Sequence, residues 1–144
     1  GKFAANVPHP IKFSKITDGT SKTLLISEKY IRSDLYETGF SSDDTGWTDG
    51  WDPDVMRCTC VKPLSDGQAE PLLTNDFGDG WPPYTFNLGS AHSGGFNAVF
   101  ADGSVRTLNY DIDVVLLNAL GTRNGTSAGP LGANDAEVAV NATD

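Results

Sequence analysis

No run of apolar residues in this 144-residue chain approaches the ~18 that a membrane-spanning helix needs. Basic residues are scarce: 10 Lys and Arg stand against 19 Asp and Glu, a formal charge of -9. With no Lys/Arg cluster, the chain would repel the phosphates of a nucleic acid, and that class of partner is excluded. Glutamate is scarcer still, 4 of the 19 acids, whereas Asp supplies 15. Together with 16 Gly and 8 Pro, this surplus of turn formers excludes a helical bundle. What is present is modest. Apolar residues make up 38% of the chain and aromatics number 14, enough for a small core and too many for general disorder. The length fits one domain. Composition leaves an acidic strand-and-turn domain, and no chemistry.

The start, Gly1-Lys2-Phe3-Ala4-Ala5-Asn6, carries neither an initiator Met nor the apolar stretch of a signal peptide. It reads as a cut end, with an upstream segment expected. Only two cysteines occur, Cys58 and Cys60. In an extended strand their Cα atoms would lie ~6.6 Å apart, at the edge of disulfide reach. A mutual bridge needs a local bend, so two thiols or an intermolecular bridge are equally open.

Residues 1–13 read as an irregular lead, although Ile11 to Asp18 could make one or two helical turns stopped by Gly19. Thr23 to Ile31 reads as a strand, and Val55 to Val61 as a second, short one ended by Pro63. Residues 33–54 and 62–90 are loop-rich. The clearest local signal is Asp102-Gly103 between two strand-like runs, 96–101 and 104–110. It predicts a two-residue type I′ hairpin turn with positive φ at both centres, pairing Phe100 with Val105 and Val99 with Arg106. Asp111 is the predicted N-cap of a helix at 112–120, with Ile112, Val115, Leu116, Ala119 and Leu120 on one stripe and Gly121 as the stop. The Gly-, Ala- and Asn-rich residues 126–144 read as a mobile tail.

Residues that could carry chemistry are few. His92 lies between Ser90 and Ser93 beside Gly94 and Gly95, yet no nucleophile elbow accompanies it. A hydrogen-bonded structural His at a hairpin entrance is the preferred reading. His9, Cys58, Cys60 and His92 match no zinc spacing. Asp49, Asp52 and Asp54 are the best calcium candidates, but no EF-hand order is matched, and Asp residues that start turns explain them as well. Trp47, Trp51, Trp81 and Tyr84 sit in Gly- or Pro-rich loops. They could form a sugar platform, cover a thin core, or anchor an interface. Asn124-Gly125-Thr126 and Asn141-Ala142-Thr143 match glycosylation sequons, a pattern frequent by chance.

Two segments taken together carry a resemblance. Ile16-Thr17-Asp18-Gly19-Thr20-Ser21-Lys22-Thr23-Leu24-Leu25-Ile26-Ser27-Glu28 is one, with Lys22 where Asn is usual. The other runs from Gly89 to Val105, with nine residues between His92 and Asp102-Gly103. Both resemble the prepilin-type H-x9-DG proteins, a large planctomycete family of unknown function. Asp54, Arg57, Pro63 and Asp66 are similar to its middle D-x-x-R…P…D stretch, and Ile112 to Gly125 to its closing helix and T-R-x-G-like end. The resemblance covers roughly residues 14–125 and implies a type IV pilin-like or pseudopilin-like globular head. Such heads follow a prepilin leader and a long apolar helix, so any membrane contact would run through that missing helix.

These readings predict an α+β head over 14–125: mainly antiparallel sheet, long loops, a short N-terminal helix and one C-terminal helix. The expected role is a non-enzymatic, extracytoplasmic subunit that self-associates or joins other pilin-like subunits, without a cofactor. A surface module binding calcium or glycan is the alternative. His92 and Asp102 flank a strand, which puts more than ~20 Å between them at 3.3 Å per residue. The motif that joins them therefore specifies a hairpin, with His92, Gly94 and Gly95 at its entrance and Asp102 and Gly103 at its turn.

Overall fold

The structure, a computed structural model, describes residues 12–39, 43, 44, 46, 48, 54–68 and 86–125. Its centre is strand β4, Phe96–Phe100, flanked on both sides by antiparallel strands: β1, Leu24–Ser27, and β5, Val105–Leu108. Alternation along β4 buries Phe96, Ala98 and Phe100 and turns Asn97 and Val99 to the other face. Phe96 joins Leu88, Tyr110 and Leu117 in the core, with Leu108 and Ile112 packed against them. The fold is α+β, as expected.

The hairpin is present, but its loop has three residues rather than two. Val99 faces Val105, the Phe100 N–H donates to Ser104 O at 2.9 Å, and the Gly103 N–H donates to Phe100 O at 2.9 Å. Gly103 has φ 82, whereas Asp102 keeps a negative φ, so the predicted type I′ turn is not formed. The cause is local. Asp102 Oδ1 accepts from the Ser104 N–H at 2.9 Å and its hydroxyl at 2.7 Å, which stabilises a turn closed by one left-handed glycine. Register shifts by one residue as a result. Arg106 now opposes Ala98, and its guanidinium lies 4.2 Å over the Phe100 ring.

The strand expected over residues 23–31 is split by a change of partner. β1 pairs with β4 through a bulge between Leu24 and Ile26. After Glu28 the chain leaves β4: Lys29 bridges Leu88, and the Tyr30 N–H donates to Asn87 O at 3.2 Å. On the far side of that segment β2, Leu64–Ser65, pairs parallel with β3, Gly89–Ser90. Gly89 is obligatory here, because a Cβ would collide with Leu64 O and the Tyr30 side chain.

Three further expectations are corrected. Residues 55–61 are not a strand. Cys58 alone makes a parallel bridge, to Asn87, and the chain then turns. That bend brings the Cys58 and Cys60 Cα atoms to 5.1 Å and closes a disulfide between them. The N-terminal helix is instead two separate 3₁₀ turns, Phe13–Lys15 and Thr20–Lys22, and Gly19 (φ 98) opens the second rather than stopping the first. The C-terminal helix α1 spans Val114–Leu120, capped by Asp113, whose Oδ1 accepts from the Val115 and Leu116 N–H groups at 2.8 and 3.0 Å. The cap thus lies two residues beyond Asp111, α1 is seven residues long, and its buried residues are Leu117, Asn118 and Ala119. Gly121 ends it, where a Cβ would strike Thr59. Among the described residues no helix is long and apolar enough to cross a membrane.

Candidate functional site

The partner change at Glu28 creates the first polar cluster. The Glu28 N–H donates to Asn97 O at 3.0 Å, but the departing chain leaves the Asn97 N–H without a carbonyl. The Glu28 carboxylate replaces it: Oε2 accepts that N–H at 2.7 Å, while Oε1 lies 3.4 Å from Asn97 Nδ2 and 3.6 Å from His92 Nε2. The two segments that carry the sequence resemblance thus meet at one carboxylate. The His92 side chain is 66% exposed, while its backbone is fixed. Its N–H donates to Ser90 Oγ at 3.0 Å, and the Tyr110 hydroxyl donates to its carbonyl at 2.6 Å. Ser90 therefore bonds the His92 backbone rather than its ring, and the Ser–His geometry of a hydrolase is not formed by this pair. Gly95 is required, since a Cβ would meet Leu108 O; Gly94 faces open space. Asp102 and Gly103 lie beyond the other end of β4 and take no part in the cluster.

Two further carboxylates act in the same manner. Asp18 Oδ2 accepts from the Thr122 hydroxyl at 2.9 Å and the Gly125 N–H at 2.8 Å, while the Thr17 N–H donates to Arg123 O at 2.7 Å. The beginning and end of the resembling region are thereby clamped together. Asp66 is nearly buried. Its Oδ1 accepts the Ile31 N–H at 3.0 Å and its Oδ2 the Tyr36 hydroxyl at 2.6 Å, a bond that pushes the phenol up to about 12.

Beside Asp66 opens a cleft of 440 Å³ lined by Tyr30, Arg32, Ser33, Asp34, Asp66, Gly67 and Gln68. On its lining Arg32 makes a two-pronged pair to Asp34 at 3.0 and 2.7 Å, which holds the Asp34 carboxyl below its ordinary range. Sequence reasoning did not find this cleft. Asp66 was visible only as the last member of a resembling stretch, and no spacing ties it to Tyr36.

Of the calcium candidates, Asp49 and Asp52 lie outside the described residues. Asp54 is buried in a cationic setting: the Lys29 ammonium donates to its carbonyl at 2.8 Å and pairs with Asp43. Burial pulls Arg57 down to about 10 against the opposing pull of Asp54 and Asp43. Among the described residues no group of three or more His, Cys, Asp or Glu side chains is placed to hold a metal. Trp47, Trp51, Trp81 and Tyr84 also lie outside the described residues.

The family is shown by sequence. A family model described as "Protein of unknown function (DUF1559)" matches residues 1–115, and the chain belongs to that family. No curated protein and no solved structure matches it.

Proposed function

We propose that this family member is a non-enzymatic structural subunit of an extracytoplasmic filament or surface assembly of pilin-like or pseudopilin-like type. One observation carries the reading. The polar residues of the resembling segments are used on the head's own chain: Asp18 on Thr122 and Gly125, Glu28 on Asn97, Asp66 on Ile31, Ser90 on Gly95. Residues spent on closing backbone hydrogen bonds specify a shape rather than a reaction. The Cys58–Cys60 disulfide suits an oxidising, extracytoplasmic compartment. Leu25 and Ile26 on one edge strand and Val105 on the other expose apolar surface that neighbouring subunits can cover. Contacts between unlike edges would be heterologous and build an open polymer.

Immunogold electron microscopy of native cells tests this, with antibodies raised against the whole chain. Label along filaments or an ordered surface layer is the expected result. Label confined to the cytoplasm, or native material that fractionates only as a monomer, would overturn it.

A further inference from the structure

Strand β5 ends the sheet on one side, and the bonding of β4 fixes which of its backbone groups face outward. The Glu28 N–H donates to Asn97 O, and the Asn97 N–H donates to Glu28 Oε2, so both backbone groups of Asn97 point toward β1. Asn97 lies opposite Thr107, and the two therefore form a pair that exchanges no ladder bonds. The Thr107 N–H and C=O point away from β4 as a result. Val105, two residues earlier, has the same aspect, whereas the backbone groups of Arg106 face β4. Among the described residues no backbone bond outside the β4–β5 ladder engages Val105 or Thr107. A donor and an acceptor on each of these residues line the outer edge of β5.

The two edges of the sheet differ in protection. Edge strands are commonly blunted by a bulge, a proline or a charge. β1 carries a bulge between Leu24 and Ile26. β5 keeps an unbroken register with β4, contains no Pro and leaves Val105 67% exposed. Its one charge, Arg106, is turned back on its own chain, over the Phe100 ring and 3.5 Å from Asp102.

The spacing of the outward groups selects the partner. A two-fold axis through Arg106 sets Val105 opposite the partner's Thr107 and Thr107 opposite the partner's Val105. Each copy then donates two backbone bonds and accepts two, and no outward group of either residue is left over. A β-branched pair, Val105 beside the partner's Thr107, forms on the outer face at each end of the pairing. There Ile26, Val99 and Val105 already stand in one row across the three strands. The two Arg106 residues meet at the axis, each with its own Asp102 to offset its charge. An axis through Thr107 would set Val105 against Asn109, whose carbonyl already serves the Ile112 N–H. We infer that β5 pairs antiparallel with β5 of a second copy of this chain, about Arg106, and joins two heads through one six-stranded sheet. Two bonds donated by each copy are far fewer than the about ten of an ordinary interface, so the pairing is weak and reversible. A Kd on the order of 1 mM is expected. The contact closes on itself at two copies and does not depend on the filament reading.

Sedimentation equilibrium and NMR on the full chain test it, at concentrations spanning that Kd and in high salt, which screens the charge of -9 on each head. A reversible monomer–dimer equilibrium is expected. In a mixture of labelled and unlabelled chains, an isotope-filtered NOE between the Hα protons of the two Arg106 residues should mark the register. Val105→Lys, which blunts the edge without removing a bond inside the head, should weaken dimerisation by about tenfold or more. Thr107→Pro, which deletes an outward N–H, should abolish it. Leu25→Lys, on the β1 edge, should dimerise as the unaltered chain does. If Thr107→Pro fails to fold, Val105→Lys and the NOE decide. A chain that stays monomeric throughout, a dimer that lacks the NOE, or one that yields to Leu25→Lys and survives Val105→Lys would overturn the pairing.

Discussion

Residues 24–28 and residues 29–31 are consecutive, yet they are held in different ways. The first group lies in a three-stranded antiparallel ladder, where β4 exchanges backbone hydrogen bonds on both sides and alternation buries one face. The second lies beside residues 86–90, where strands are two residues long and side chains supply much of the bonding. Asp66 takes the Ile31 N–H, the Asn87 amide donates to Lys62 O at 2.7 Å, and a disulfide closes the turn next to Cys58. The contrast teaches that a short ladder is stabilised by individual groups, each of which is then hard to replace. A regular ladder spreads the same task over many backbone bonds.

The strongest way to break this contrast is at its glycines. Gly89→Ala should destabilise the head by about 3 kcal/mol or prevent folding, since the new methyl meets the Leu64 carbonyl and Tyr30, neither of which can move cheaply. Gly94→Ala, with open space around it, is the control, and comparison of urea midpoints checks both. Next in size is Asp66→Ala, which strands the Ile31 N–H and the Tyr36 hydroxyl and should cost about 2–3 kcal/mol.

Tyr36 sharpens the same point through pH. Its folded pKa is raised from 10.0 to about 12, so the contribution is full below about pH 10 and fades as pH rises toward 12. Ultraviolet titration should find a step with a midpoint near 12, and Tyr36→Phe should remove it. A smaller effect is expected from Cys58→Ser with Cys60→Ser. The disulfide closes so short a loop that the loss should be about 1–2 kcal/mol, read from thermal unfolding. Smallest, on the regular ladder, Gly103→Val should cost about 1 kcal/mol, because a β-branched residue resists φ 82. A neutral Gly103→Val would show that the turn adapts and that the ladder alone sets the hairpin.

The regular side was also the legible one. Alternation over residues 96–100 and the Asp-Gly pair located the hairpin, because both signals are local and repeat. Its register was missed by one residue, since the choice between two and three loop residues depends on the Asp102–Ser104 bonds, which no dipeptide rule encodes. Asp111 is the cap expected from sequence, whereas Asp113 is the one used in a helix that packs Leu117 into the core. The irregular side left little trace. Two-residue parallel strands have no periodicity to read, and the strand expected over residues 55–61 yielded to a turn that the disulfide closes. Glu28, His92 and Asn97 were each visible within motifs, but their meeting required β1 to lie along β4. The cleft at Asp66 depends on contacts across 35 residues and could not be inferred at all.

The clamp at Asp18 has a mechanical consequence. Residues 17–18 and 122–125 are fastened side by side, so the two ends of the described chain meet at one stitched seam. Tension applied between residues 12 and 125 would load those few bonds before it reached the β-sheet. Such a seam yields first, and the ladder around β4 is shielded by it.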